Sequence, residues 1–367
     1  MKIVTIPIRS HAGTYHVVAG GSPAEALARA RGNGPVVVIA DAAVLRLHRE
    51  AFEHAFDPGI TILPVVATEQ AKSYETVGPV LEKLLEAGVR RNTTLIAVGG
   101  GIIQDLAAFA ATILMRGIAW RLVPTTLLSQ CDSCIGAKSS INLGQHKNQL
   151  GTFHPPEEIH LSSGFLSTLG EEDIRSGLGE VVKFHLLAGP GPLTRLRNVL
   201  AQGLPEHFDD LILNSLSIKR PFIEEDEFDR GIRNLLNYGH TFGHAFEVTS
   251  GFSIPHGLAV ALGMAAATFI SERWGRCPQG HLHEVDEILR PLYRHHAAAV
   301  GHAPLAAILQ AMGRDKKNRS DRQFVILTGG PGSMEKVQVD LQREIGPELA
   351  RFQGWLLNMG PRSIPSP

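Results

Sequence analysis

The sequence predicts a two-part chain: an N-terminal α/β domain on a parallel sheet over residues 1–169, then a mostly α-helical domain over residues 170–367. Three observations predict it. At 367 residues the chain is longer than one ordinary hydrophobic core requires. Through the first half, short β-branched runs alternate with amphipathic ones, the pattern of strands joined by crossover helices. From about Gly170 onward that alternation gives way to helical periodicity, with strand-like 324–327 as a lone exception.

Composition narrows the class. The chain is 44% hydrophobic and 19% charged with a formal net charge of −1, which is a soluble globular balance. It gives no electrostatic reason to expect nucleic acid or an anionic membrane as partner. Aromatics are few while Ala and Gly are plentiful, which suits α/β or helical packing better than a β-sandwich. Three cysteines cannot build a disulfide framework, so a reducing, cytoplasmic setting is expected. Cys131 and Cys134 form a C-x-x-C that could serve redox chemistry, a metal or packing. With only Cys277 left over, a four-thiolate zinc site is impossible, and packing is the expectation.

In chain order, the N-terminal MKIVTIPIRS alternates like a strand and lacks the apolar core of a signal peptide. Strands follow at 36–40 (VVVIA), 60–66, 94–98 (TLIAV) and 120–123. Helices lie at 73–87, where Val77, Val80, Leu81, Leu84 and Leu85 recur at helical spacing, and at 106–114. The second half offers helices at 171–187, 205–222, 235–249, 257–274 and 305–312. The uncharged run 257–270 is too short to span a bilayer and reads as a buried helix. The closing PRSIPSP reads as a loose tail. A cleft between an α/β and a helical domain is the default place for a site.

The 94–98 strand runs straight into Gly99, Gly100 and Gly101, ahead of Gln104 and Asp105. Strand–glycines–helix is how backbone N–H groups approach a pyrophosphate at a helix N-terminus, so the first domain reads as Rossmann-like. The standard G-x-G-x-x-G spacing is missing, and a tight strand-to-helix turn explains the glycines equally well. Asp41, directly after VVVIA, could accept hydrogen bonds from a ribose or simply cap the next element.

Between residues 115 and 150, Arg116, Asp132, Lys138, Lys147 and Asn148 sit among glycines in a stretch otherwise short of charge. Converging cations and amide donors suit a phosphate-bearing ligand. Glu180 and Lys183 follow, one turn apart on a helix. Lys219, Asp229, Arg233 and Asn237 then lead into NLLNYGHTFGHAFEVTSGFSIPHG, the most informative stretch of the chain. It holds His240, His244 and His256 interleaved with glycines. On a helix, a spacing of four places His240 and His244 on one face. Two imidazoles plus a third ligand make a catalytic zinc site with an open position. The bland alternative is helix–helix packing, with the glycines allowing close approach.

Together these residues resemble the 3-dehydroquinate synthase family of sugar phosphate cyclases. The matching segments are GGGIIQDLAAFAATILMRG, VPTTLLSQCDSCIGAK, HKNQLGTFHPP, GLGEVVKF, and RNLLNYGHTFGHAFE followed by PHG. A weaker match falls at Asp315-Lys316-Lys317-Asn318. The resemblance implies a dehydroquinate synthase-like fold and an NAD- and zinc-dependent (or cobalt-dependent) lyase acting on a phosphorylated sugar. In this family NAD oxidises a secondary alcohol, phosphate leaves by β-elimination, the ketone is reduced back and the ring recloses by intramolecular aldol addition. The family's habit implies a homodimer.

Carried over position by position, the resemblance makes Glu180, His240 and His256 the metal ligands, and turns His244 to the substrate phosphate. Lys138, Asn148, Arg116 and Lys316 or Lys317 would join His244 there. Asp132 and Lys183 would meet the ring hydroxyls. Lys219 and Arg233 would hold a substrate carboxylate, with Asn237 nearby. Toward NAD the matches are Asp41, Glu69, Lys72, Gly100, Gly101 and Asp105, then Thr125, Thr126, Lys147 and Thr168, with Lys138 reaching both groups.

The chain departs from the family pattern in four places. Asp229 stands for Glu, Leu258 for the Glu after the last metal histidine's Gly, Gly136-Ala137-Lys138-Ser139-Ser140 for G-G-K-T-G, and Gln104 for a glycine. They leave three alternatives to the primary cyclase: a secondary-metabolism enzyme making an amino-dehydroquinate or a cyclitol, a metal-dependent alcohol dehydrogenase, and a catalytically silent relative. Charge favours a carboxylate-bearing heptulosonate 7-phosphate or its amino analogue, because a neutral sugar would leave Lys219 and Arg233 without a partner.

Overall fold

A computed structural model describes residues 3–144, 146–313 and 322–358. The chain divides into two compact units, Met1–Ile174 with Pro205–Asp229, and Arg175–Leu204 with Arg230–Pro367.

The first unit is built on a seven-stranded sheet in the order β1-β2-β9-β6-β5-β3-β4. Its strands are β1 (Val4–Ser10), β2 (Gly13–Ala19), β3 (Val36–Asp41), β4 (Ile62–Val65), β5 (Thr94–Gly99), β6 (Trp120–Pro124) and β9 (Glu158–Leu161). Only β1 and β2 pair antiparallel; the other ladders of this sheet are parallel. β7 (Lys138–Leu143) and β8 (His146–Phe153) form a separate hairpin. Helices α1 (Pro23–Arg31), α2 (Ala42–Leu47), α3 (Arg49–Ala55), α4 (Tyr74–Glu86) and α5 (Gly101–Ile113) make the connections. Ala26, Leu27 and Ala30 of α1 pack with Phe52 and Phe56 against Val38, Ala40, Ile96 and Val98 of the sheet, which is why the central strands read as unbroken apolar runs.

The second unit is helical. α6 (Glu171–Ala188) enters it at Arg175, and α7 (Pro190–Gln202), α9 (His240–Thr249), α10 (His256–Arg273), α11 (His281–Tyr293), α12 (Ala297–Gly301), α13 (Leu305–Gly313) and α14 (Gly346–Leu357) complete it. α10 is its axis. Every residue from Gly257 to Ser271 is buried, under α9, α11, α14 and a hairpin of β10 (Arg322–Gly330) and β11 (Ser333–Asp340). The strand expected alone at 324–327 thus has a partner. Among the described residues no helix is long and apolar enough to cross a membrane.

Residues 205–229, expected with the helical domain, return to the first unit. Their helix, α8 (Phe208–Glu225), is anchored there by Glu224, which accepts from Arg9, and by Lys219, which pairs with Asp132 at 2.6 Å. The helix expected over 235–249 also changes: Ile232–Asn237 is a 3-10 turn, and α9 begins at His240 after left-handed Gly239.

Candidate active site

The polar positions of the first unit gather at the carboxyl ends of its parallel strands. β3 ends in Asp41, β5 in Gly99, and β6 runs into Thr125 and Thr126. The chain leaves β3 for β4 on one side and returns to β5 on the other. The crevice between β3 and β5 is therefore a topological switch point, where open α/β sheets bind ligands. Gly100 is the N-cap of α5 and no side chain caps it, so the first N–H groups of α5 are open to an anion. A Cβ on Gly100 would come within 3.0 Å of Thr126 Cγ2, and the Thr125 hydroxyl is buried without a hydrogen-bond partner. A glycine cradle with an orphaned hydroxyl beside it fits a dinucleotide.

Next to the cradle Lys72 organises a network. Its ammonium donates to Asp105 Oδ2 at 2.9 Å, Ser140 Oγ at 3.1 Å and Asn148 Oδ1 at 2.7 Å. Asp105 also accepts from the Ser140 amide and hydroxyl. Lys147 stands 3.4 Å from Glu69, which accepts from Asn142. Asp41 accepts from the Ala43 amide and so caps α2. Thr168 donates to the Phe165 carbonyl and lies 2.8 Å from His48 Nε2.

The substrate candidates of this unit fall into pairs. Lys138 donates to Asp229 at 2.7 Å, and Asp229 holds a left-handed backbone (φ 58°) that Asp tolerates better than most residues. Lys219 is buried. Besides the Asp132 carboxylate it donates to the Asp132 and Ile135 carbonyls, so its three N–H groups are satisfied internally. This corrects the charge argument for the substrate, because Lys219 has a carboxylate partner of its own. Arg116 is exposed on the turn after α5, and among the described residues no hydrogen bond or ion pair joins it to the others. Lys316 and Lys317 lie outside the described residues. Cys131 and Cys134 are fully buried, and burial pushes the Cys134 thiol up to about 12, so it holds no thiolate near neutral pH.

In the second unit, backbone contacts between helices build a cluster. Ser176 Oγ accepts from the Gly257 amide, and a Cβ on Gly257 would lie 1.8 Å from the Ser176 carbonyl oxygen. α6 and the start of α10 thus meet backbone to backbone, which sets Glu180 beside His256. Gly263 meets Gly239 as closely, at 1.9 Å for an added Cβ, and draws His240 in from α9. The glycines therefore serve packing, and that packing brings the imidazoles together.

Glu180 is fully buried, with Oε1 3.4 Å from His256 Nε2 and 3.6 Å from His240 Nε2. Lys183 rests against Oε2. The nitrogens of His240, His244 and His256 come within 4.8 Å of one another, with His244 the exposed member. Arg233 is buried in the 3-10 turn before α9, and Asn237 donates to the Asn234 carbonyl. The Tyr238 carbonyl accepts from His240 Nδ1–H at 3.3 Å, which leaves Nε2 as a lone pair aimed at Glu180. Glu247 Oε1 lies 3.3 Å from His256 Nδ1, a residue missed in the sequence although it sits on the same α9 face as His240, two turns on.

These residues fit a divalent ion. Ligands about 2.0–2.1 Å from a tetrahedral centre lie about 3.3 Å apart, close to the separations seen here. Neither Glu180 oxygen makes a hydrogen bond of good geometry among the described residues, and a cation would satisfy both. Burial alone would push the Glu180 carboxyl up, but Lys183 and His256 hold it far below the usual range. Burial likewise disfavours the charged His256, yet Glu247 and Glu180 push it up to about 10. The sign follows: below pH 10 an ion must displace that proton, so zinc binding should tighten about tenfold per pH unit between pH 7 and 9. Zinc titrations at three pH values check this, and a pH-independent affinity would contradict it.

The comparisons place the chain in a family. The model of the 3-dehydroquinate synthase N-terminal region matches residues 62–176, and that of the C-terminal region matches residues 177–318. The chain belongs to the 3-dehydroquinate synthase family. It is 36% identical to the 3-dehydroquinate synthase of Enterococcus faecalis over 323 residues, covering 85% of this chain and 90% of that one. A solved 2-deoxy-scyllo-inosose synthase, complexed with carbaglucose-6-phosphate, NAD+ and Co2+, shares the fold with a TM-score of 0.81 at 24% identity, over 95% of this chain and all (100%) of that one. The 2-epi-5-epi-valiolone synthase of Streptomyces hygroscopicus, with NAD+ and Zn2+ bound, gives 0.80 at 25% identity, over 93% and 97%.

Proposed function

We propose that this chain is an NAD- and zinc-dependent sugar phosphate cyclase of the 3-dehydroquinate synthase type, a carbon–oxygen lyase that converts a heptulosonate 7-phosphate to a carbocycle and free phosphate. The observation that carries the reading is the convergence of buried Glu180 on His240 and His256. When bound, NAD supplies reversible hydride transfer and the ion polarises the hydroxyl that is oxidised.

The chain's own residues do the rest. Glu180, His240 and His256 would hold the ion; of the phosphate ligands that the resemblance implies, His244 is exposed in the second unit, and Lys138, Asn148 and Arg116 belong to the first. Lys72 faces Asn148 Oδ1 with donors only, which fixes the amide with its oxygen toward Lys72. Lys183 and Asp132 would donate to and accept from the ring hydroxyls. The first unit would seat the dinucleotide, with Asp41, Glu69, Asp105, Thr126, Lys147 and Thr168 around the glycine cradle. Cytoplasmic residence fits three buried cysteines that form no disulfide among the described residues, and a homodimer fits the family.

A second reading keeps one observation on its side. Since Lys219 is already paired with Asp132, a sugar without a carboxylate would not strand that cation, as in a cyclase making a cyclitol. The test is to incubate the protein with zinc, NAD and each candidate phosphosugar. Phosphate release from the heptulosonate without net NADH is expected. Turnover of carboxylate-free sugars alone would transfer the chain to the second reading, and stoichiometric NADH without phosphate would mark a dehydrogenase. Lys72→Met should weaken NAD binding at least about tenfold by leaving Asp105 without its cation, as equilibrium dialysis would register.

A further inference from the structure

We propose that Glu247 is a positioning residue for the proposed metal site: its carboxylate holds His256 by Nδ1–H and so presents Nε2 beside Glu180. The inference rests on the metal-site reading above. His256 is the first residue of α10, where the partial positive charge of the helix N-terminus opposes donation by the imidazole. α10 offers no acceptor of its own at this point, because Gly257 has no side chain and Leu258, which stands for the family's glutamate, is fully buried and apolar.

Glu247 supplies the acceptor from the neighbouring helix. It is buried, on the eighth position of α9, with Oε1 3.3 Å from Nδ1, while Nε2 of the same ring lies 3.4 Å from Glu180. A carboxylate can only accept, so it keeps a proton on Nδ1 and leaves Nε2 as the nitrogen that gives up its proton to an ion. Held at one nitrogen, the ring loses the freedom to rotate its ligand atom away. At its Nδ1 His240 meets the neutral Tyr238 carbonyl, whereas the Nδ1 of His256 meets a carboxylate. Partners of this kind set ligand orientation and basicity in metal sites generally.

The test uses the full chain and reads metal affinity directly. Zinc binding is measured by competition with a chromophoric chelator at pH 8.5, where fewer protons compete, together with the visible band of the Co2+ form. Glu247→Met, of similar length and without an acceptor, is expected to weaken zinc binding about 10- to 100-fold and to shift the cobalt band. Glu247→Gln, which keeps an acceptor oxygen, is expected to return to within about threefold of the wild type. Met-variant affinity within that same range, with an unshifted band, overturns the proposal. If the Met variant does not fold, the Gln variant decides: its neutral acceptor should still shift the band, and an unshifted one overturns the proposal. A wild-type chain that takes up neither ion overturns the metal-site reading itself, whereas full binding by wild type and Met variant alike removes the role of Glu247 alone.

Discussion

Replacing His240 by alanine is expected to abolish stoichiometric zinc and to lower turnover at least about a thousandfold, since a polarising ion contributes several kcal/mol to such a barrier. The loss should be chemical and not structural. His240 opens α9, and α9 is held chiefly by buried Phe242, Ala245 and Phe246 and by the Gly239–Gly263 contact. Removing one imidazole leaves that interface intact, so the circular dichroism of the variant should match the wild type. Zinc content and phosphate release, measured on one preparation, check both halves of the expectation. A variant that retained a full equivalent of zinc would take His240 out of the ligand set.

Gly257→Ala should do the opposite and damage the site through the fold. The new methyl would sit 1.8 Å from the Ser176 carbonyl oxygen, which is backbone and cannot rotate away. α6 and α10 must then separate, which costs about 3 kcal/mol or more, at the upper end of overpacking penalties. For a unit of this size that lowers the thermal midpoint by about 6–12 °C. Separation also draws His256 away from Glu180, so zinc affinity should fall even in the fraction that stays folded. An unchanged midpoint with full zinc uptake would show that the two helices are not in backbone contact.

Much of this was legible in the sequence because the informative residues carry their chemistry in their spacing. VVVIA and TLIAV are buried on both faces and read as central parallel strands, and 257–270 is apolar all round because α10 is enclosed on all sides. What escaped is equally instructive. Helix α1 opens on Ser22 and Glu25, a capping box in which each side chain bonds the other's backbone, but its arginine-rich remainder masked the apolar stripe. β2, β7 and β8 escaped because their half-exposed or exposed faces interrupt the apolar pattern. The start of α9 depended on left-handed Gly239, a backbone property that periodicity does not register. The partnership of Lys219 with Asp132 was out of reach because it joins residues 87 positions apart. Glu247 stood inside the histidine stretch, yet its purpose appears only once α10 folds back and places His256 against it.

The central claim is that Glu180, His240 and His256 surround one divalent ion. An anomalous-scattering map at the zinc edge, from crystals grown with zinc and NAD, tests it most directly. The account predicts one strong peak per chain, bonded to Glu180 and to Nε2 of His240 and His256, with His244 beyond bonding distance. A peak held by His244 in place of Glu180, or no peak among these side chains, would contradict it.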